Sequence, residues 1–353
     1  MSLDDTIGDK YILTKKYLGG GAFGSVFLGY DEHKNKYAIK QIVPQEGHDV
    51  NTFKNEINIL KELSYYPKCN KHIVCLYDVY ITKAGVIYLV MELVDGANIS
   101  NSIPSENLLR QCAIALEYIH RKNIIHRDIK PENVMVTNNG VVKFVDFGTG
   151  CSITPLHNID LCEKISGTRL FLDPQFLTQE IKTACKNSDI FSLGATFFEL
   201  MTNGNPPAFG AKNQAIVYED IKDRINGTKY IRNLKTIVIA MMNPNGKLRP
   251  STTDILNFLD TGSLNITGYT KDCKDEKSPI IKKLSDSPTT KEKKLLDFIK
   301  KQALELKQEE FDELDGDVMT SDEEFINLAL KNIQRSIDIP PTVVYMARNM
   351  SLT

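Results

Sequence analysis

Apolar and polar positions alternate through residues 11–43, interrupted at Gly19-Gly20-Gly21 and at Asp31-Glu32-His33-Lys34-Asn35-Lys36. A period of two broken by glycine and polar clusters predicts consecutive hairpin strands. The spacing then changes to a helical one, with Phe53, Ile57, Ile59, Leu60 and Leu63 marking a helix over 52–63. Two more strands are predicted near 73–80 and 86–93, the second ending at Met91-Glu92-Leu93. Val94-Asp95-Gly96 reads as a turn that releases the chain into a second region. From residue 105 onward helices dominate. Leu108, Leu109, Cys112, Leu116 and Ile119 make one apolar face, and Leu193, Ala195, Thr196, Phe197, Leu200 and Met201 another. The expected fold class is therefore α+β: a strand-rich first lobe, a helix-rich second lobe and a cleft between them suited to a ligand.

Composition shifts near residue 261. The stretch 268–294 is polar and Lys-rich, carries Ser278-Pro279 and Ser287-Pro288, and reads as a linker. Residues 291–311 look helical, with Leu295, Leu296, Phe298, Ile299 and Leu306 set among charged residues. An acidic cluster from Glu309 to Glu324 leads into a second helix that opens on the capping-box spacing of Ser321 and Glu324 and ends at Pro340-Pro341. Asp312, Asp315, Gly316 and Asp317 lack the ligand spacing of a calcium loop, so a solvated acidic face is expected there. The expected division is a catalytic domain at 11–262, its lobes at about 11–93 and 97–262, then a linker and helical extension at 263–353. The extension's helices are expected to dock on a lobe or on a partner.

A net charge of −2 gives no global attraction to nucleic acid or anionic membrane, and no apolar run approaches a membrane span. Seven scattered cysteines, an odd number in a chain with no secretory leader at its start, point to reduced thiols in a cytoplasmic compartment. Cys151 and Cys162 fall in a segment where they could respond to oxidation. The Asn-, Lys- and Ile-rich composition suits an AT-rich genome, that of a protist or of a large virus using a host cytoplasm.

The chemistry sits in His126-Arg127-Asp128-Ile129-Lys130-Pro131-Glu132-Asn133, followed by Asp146-Phe147-Gly148. Phosphoryl transfer needs a carboxylate to orient a hydroxyl and oxygen ligands to hold metal on the phosphates. Asp128 can serve as the first, Asn133 and Asp146 as the second. Upstream, Gly19-Gly20-Gly21-Ala22-Phe23-Gly24-Ser25-Val26 fits a phosphate-covering glycine flap. A dinucleotide site would need a helix straight after the glycines, whereas the sequence continues as strand. Lys40 follows sixteen residues after Gly24, and Glu56 on the next helix is the carboxylate available to fix it.

In this order and spacing the motifs resemble the eukaryotic-type protein kinase family, in its serine/threonine branch, across about residues 11–262. The resemblance implies a bilobal fold with an antiparallel sheet and one helix (the family's αC) in the first lobe. It implies ATP and Mg²⁺ as cofactors and a protein Ser/Thr hydroxyl as acceptor. Lys40 would hold the α- and β-phosphates and pair with Glu56; Asp128 would be the catalytic base and Lys130 would neutralise the γ-phosphoryl group; Asn133 and Asp146 would bind the metal. The nucleotide would be bounded by Leu18, Gly19, Gly20, Gly21, Ala22, Phe23 and Gly24, with adenine between Val26 and Ala38 above and Met135 below. Backbone from Glu92 to Val94 would bond the base, Met91 would stand at the rear of the pocket, and Leu60, Leu76, His126 and Phe147 would form a stacked column. Lys130 and Gly167-Thr168 are similar to the serine/threonine rather than the tyrosine pattern.

Four departures from the family pattern stand out. Asp173-Pro174-Gln175 stands in place of Ala-Pro-Glu, so that Gln175, not a glutamate, is expected opposite Arg249 with the loss of a charge-assisted bond. Phe191 replaces a tryptophan. The position usually phosphorylated in the activation segment is Lys164, leaving Glu163 as a fixed acid or Ser166 as a modifiable one to engage Arg127. Asn98 stands where the family's basophilic members carry an acid a few positions past the hinge, while Glu132 remains for a basic substrate side chain. The rival readings are a pseudokinase scaffold, which would tolerate loss of Lys40, Asp128, Asn133 or Asp146, and a small-molecule phosphotransferase, which would lack the Gly167–Pro174 peptide segment.

Overall fold

The hairpin periodicity of the first lobe becomes one antiparallel sheet in the computed structural model, which describes residues 6–21, 24–44, 50–153, 162, 166–178, 181, 183–210, 213–269, 297–301 and 303–304. Its strands are β1 (Thr6–Ile7), β2 (Tyr11–Gly21), β3 (Gly24–Asp31), β4 (Lys36–Ile42), β5 (Leu76–Ile81) and β6 (Ile87–Glu92), ordered β1-β2-β3-β4-β6-β5. Between β4 and β5 lies α1 (Val50–Leu63), which buries Phe53, Ile57, Ile59, Leu60 and Leu63, the residues that the helical spacing selects.

Of the turn expected at 94–96, Asp95 forms a bend and Gly96 already opens β7 (Gly96–Asn98). Helix α2 (Glu106–Arg121) starts where the Ser105 hydroxyl accepts Leu108 N–H at 3.2 Å. After β8 (Ile124–Ile125) come β9 (Val134–Thr137) and β10 (Val142–Phe144), which join β7 in a three-stranded sheet. Strand β11 (Cys151–Ser152) pairs back on β8. The remaining helices are α3 (Pro174–Leu177), α4 (Lys186–Thr202), α5 (Gln214–Asn226), α6 (Arg232–Met241) and α7 (Thr252–Thr261). α4 is the buried axis of this lobe. A Cβ on its Gly194 would lie 2.9 Å from both Met241 and Met242, so glycine is what lets α6 approach.

The thiols differ from expectation. Cys69 bonds Cys75 and Cys151 bonds Cys162, with Cα separations of 5.3 and 5.5 Å, while Cys112 is a free, buried thiol. Sequence spacing alone does not reveal such pairs, because chain folding rather than separation brings the two Cα atoms within bridging distance. Gly268 and Tyr269, at the start of the expected linker, are held against the second lobe.

Residues 297–301 and 303–304 are helical, within the helix expected over 291–311, and belong to a second compact unit of the chain. The linker from 270, the acidic cluster, the Ser321–Glu324 box and Pro340-Pro341 lie outside the described residues. No helix among the described residues is long and apolar enough to cross a membrane.

Candidate active site

Sheet register brings the first-lobe residues to one face. Val26 is paired with Lys40, Ala38 with Met91, and Gly19 with Val26. Directly opposed residues share a face, as do residues two apart on a strand, so Val26, Ala38, Lys40 and Met91 point the same way. Gly20 and Gly21 continue the hairpin opposite Ser25 and Gly24. Leu18 is 39% exposed at its edge, and Ala22 and Phe23 lie outside the described residues. Met135 reaches the other side of the cleft from β9, where it pairs with Asn98. Glu92 and Val94 follow Met91 at the junction of the lobes, the Glu92 carboxylate being taken by Lys143 at 2.9 Å and Cys75 N–H at 3.2 Å.

Lys40 lies at the centre of a buried charge pair. Its Nζ is 2.6 Å from Glu56 and 3.4 Å from Asp146, with Lys40 and Glu56 only 6% and 2% exposed. Burial disfavours the ammonium, but attraction to Glu56 and Asp146 outweighs it and holds the Lys40 pKa above its ordinary value. Burial also acts against the Asp146 carboxylate, yet Lys40 and the Gly148 N–H, which donates at 3.0 Å, keep its pKa below the usual range. Asp146 is therefore an ionised oxygen donor facing the cleft.

Asp128 is bound from two sides. Its Oδ1 accepts the Thr168 N–H and hydroxyl, both at 2.8 Å; its Oδ2 accepts Asn133 Nδ2 at 2.9 Å and lies 2.8 Å from Lys130 Nζ. Lys130 also donates to Thr168 Oγ1 at 2.7 Å. Asn133 spends its amide N–H groups on Asp128, which leaves its amide oxygen for a metal. Thr168 gets this close because Gly167 adopts φ +108°, where a Cβ would collide with the Arg127 carbonyl.

The backbone just before Asp128 is strained. Arg127 has φ +70°, rare for a residue with a Cβ. Asp189, fully buried in α4, holds it there: its carboxylate accepts the N–H groups of His126 and Arg127 at 2.8 and 2.9 Å and His120 Nε2 at 2.9 Å. The His126 and Phe147 rings are packed with centroids 4.8 Å apart and planes tilted by 45°, and Leu60, Leu76, His126 and Phe147 are all buried.

The sequence matches the protein kinase domain over residues 12–259, about 70% of the chain. The chain belongs to the protein kinase family. Among similar proteins is MAP3K epsilon protein kinase 2 of Arabidopsis thaliana, 32% identical over 235 residues, which cover 62% of this chain and 16% of that protein. A serine/threonine-protein kinase stk11 homolog of Dictyostelium discoideum is 33% identical over 230 residues, 60% of this chain and 38% of the relative. Calcium-dependent protein kinase 5 of Plasmodium falciparum is 28% identical over 271 residues, 72% and 45%. The chain thus spans less than half the length of these relatives.

Within this kinase domain the expected Gln175–Arg249 contact is replaced by another. Arg249 meets Asp173 in a two-point ion pair, and Gln175 Oε1 accepts Gly246 N–H at 2.8 Å. The carboxylate has moved two residues toward the N-terminus, where it also caps α3, so no charge is lost. Phe191 fills the tryptophan position, packed 5.1 Å below the Arg249 guanidinium and edge-on to Phe209. Ser166 and Arg127 line one small cavity; Glu163 and Lys164 fall outside the described residues. Burial lowers the Arg127 pKa to about 10, with Asp189 opposing. Asp189, His120 and Asp173 had no role assigned from sequence. The available signal for Asp189 is a carboxylate directly before the apolar run that opens at Ile190 and Phe191 in α4.

Proposed function

We propose that this chain is an ATP- and Mg²⁺-dependent serine/threonine protein kinase, with residues 11–262 as its catalytic domain. The observation that carries this reading is the fixed Asp128 carboxylate, clasped by Thr168, Asn133 and Lys130 beside the Lys40–Glu56–Asp146 charges. Asp128 orients the acceptor hydroxyl and takes its proton as the oxygen bonds to the γ-phosphorus of ATP and the bond from that phosphorus to the bridging oxygen breaks, releasing ADP. Lys130 offsets charge on the γ-phosphoryl oxygens, and Lys40, steadied by Glu56, holds the α- and β-phosphates. Asp146 and Asn133 offer hard oxygen donors, the set suited to Mg²⁺ completed by phosphate oxygens and water. The bound metal would supply charge neutralisation at the phosphates.

The glycine hairpin from Gly19 to Gly24 covers the phosphates. Val26, Ala38 and Met135 sandwich the adenine, whose edge meets backbone between Glu92 and Val94 in front of Met91. The acceptor is a Ser or Thr of a protein, because the Gly167–Pro174 segment that docks a peptide is present. Incubation with γ-labelled ATP, Mg²⁺, a mixed Ser/Thr peptide pool and a panel of small metabolites tests the reading. Label in peptide Ser or Thr supports it; label confined to metabolites, or none at all, overturns it.

A further inference from the structure

Beyond the last residue matched by the family, the chain turns back on itself in a short strap that carries Tyr269. Asp254, in the first turn of α7, anchors the strap: its carboxylate accepts Thr267 N–H at 3.1 Å, Thr267 Oγ1 at 2.7 Å and Gly268 N–H at 2.9 Å. Burial opposes the Asp254 carboxylate, but the Ser251 N–H, the Thr267 hydroxyl and the Gly268 N–H together hold its pKa below the ordinary value. Leu264 and Tyr269 pack on the main core. The Tyr269 hydroxyl lies 2.9 Å from His120 Nδ1, 3.2 Å from Thr252 N–H and 3.1 Å from Thr252 Oγ1.

Tyr269, His120 and Asp189 form a continuous hydrogen-bonded chain. The Asp189 carboxylate only accepts, so His120 Nε2 must donate to it across 2.9 Å. With the proton on Nε2, Nδ1 can accept the Tyr269 O–H, whose lone pairs are then left for Thr252. The tautomer with its proton on Nε2 satisfies all of these partners in this ring orientation. The far end is the Asp189 carboxylate, which grips the backbone N–H groups of His126 and Arg127 immediately before Asp128. Arg127 sits at φ +70°, and a strained residue keeps such a conformation only where its surroundings over-determine it.

We propose that Tyr269 is a positioning residue for phosphoryl transfer: by fixing the His120 ring it fixes Asp189, and through Asp189 the catalytic-loop backbone that aims Asp128. The strap thereby ties the start of the C-terminal extension to the geometry of the reacting site. The proposal rests on the kinase reading above, and its test separates the two.

In the full-length chain, Tyr269→Phe keeps the ring and removes the hydroxyl. It should lower kcat about fivefold, the rate equivalent of one net hydrogen bond, with KM for ATP and for peptide unchanged within about twofold. Amide hydrogen exchange at His126 and Arg127 should quicken in the same variant, a readout that needs no kinase activity. His120→Asn should cost more, and adding Tyr269→Phe to it should cost nothing further, since the hydroxyl acts through the imidazole. Thr267→Val, which loosens the strap at Asp254 without touching His120, should move kcat in the same direction by less. Unchanged kcat and unchanged exchange in Tyr269→Phe, or additive losses in the double variant, would overturn the proposal. Absence of any kinase activity in the unaltered chain would instead count against the kinase reading.

Discussion

Asp173 and Arg249 form a fully buried two-point ion pair, Nη1 to Oδ2 at 2.6 Å and Nη2 to Oδ1 at 2.8 Å. Every guanidinium N–H has an acceptor, the others being the carbonyls of Asn243, Asn187 and Pro244. Ser188 donates to Asp173 as well, at 3.0 Å. Removing the carboxylate would strand a buried cation, which typically costs about 3–5 kcal/mol. Asp173→Ala should therefore lose that much stability in chemical denaturation, whereas Gln175→Ala, which frees one Gly246 N–H, should lose about 1 kcal/mol. Equal losses in the two variants would show that the charge pair does not anchor this end of the segment.

Thr168 links two of the proposed catalytic groups through one hydroxyl, donating to Asp128 and accepting from Lys130. Thr168→Val deletes both bonds and should reduce kcat by about 10- to 100-fold, the rate equivalent of roughly 1.5–3 kcal/mol, the contribution of one bond to a charged group. Thr168→Ser keeps the hydroxyl and should stay within about threefold of the unaltered protein. Steady-state kinetics on a Ser-containing peptide decides between them. Equal activity of the valine variant would remove Thr168 from the account of Asp128.

His126 is fully buried, and its Nε2 has no hydrogen-bond partner among the described residues. Burial pushes its pKa below 6.5, only partly opposed by Asp189, Asp128 and Asp146. In the unfolded chain the imidazole binds a proton near pH 6.5, while in the folded chain it does not. Its contribution to stability is thus complete above about pH 6.5 and lost as pH falls toward the folded value, with a slope of at most about 1.4 kcal/mol per pH unit. His72, half-buried, shifts in the same direction. Denaturation curves of His126→Phe between pH 5 and 7 should be flatter than those of the unaltered protein, with ring packing on Phe147 retained. An identical slope in the variant would contradict the buried neutral imidazole.

Glu199 in α4 has its pKa raised by burial and then by the charge of Glu132, an exposed residue four positions after Asp128. A cationic side chain between the two carboxylates would relieve that repulsion. Peptides with Arg near the acceptor should accordingly show lower KM than neutral ones. Glu132→Gln should raise KM for the basic peptide about tenfold, one charge-assisted bond, and leave the neutral peptide unaffected. Equal KM values for both peptides would exclude this preference.

Much of this architecture could be read from local pattern. Alternation located β2, β3, β4, β5 and β6 because one face of that sheet is buried, and helical spacing located α1, α2 and α4 because each buries a stripe or more. The residues around Asp128 and Asp146 were legible because their chemistry fixes both residue type and spacing. Long-range partnerships were not. Nothing local distinguishes Asp173 from Gln175 as the partner of Arg249; the choice depends on how α3 presents its first turn. The Cys69–Cys75 and Cys151–Cys162 bonds depend on chain reversals, and Tyr269 looked like the start of a polar linker because its partners, His120 and Thr252, are remote in sequence.

The most direct measurement is γ-phosphoryl transfer by the unaltered chain and by Asp128→Asn, at saturating ATP and Mg²⁺ with a Ser/Thr peptide. The unaltered protein should label the peptide. Asp128→Asn should bind ATP as well as before and label it about 10²- to 10³-fold more slowly. Transfer by Asp128→Asn at the unaltered rate, or no transfer by the unaltered protein, would contradict the assignment of this cleft as a kinase active site.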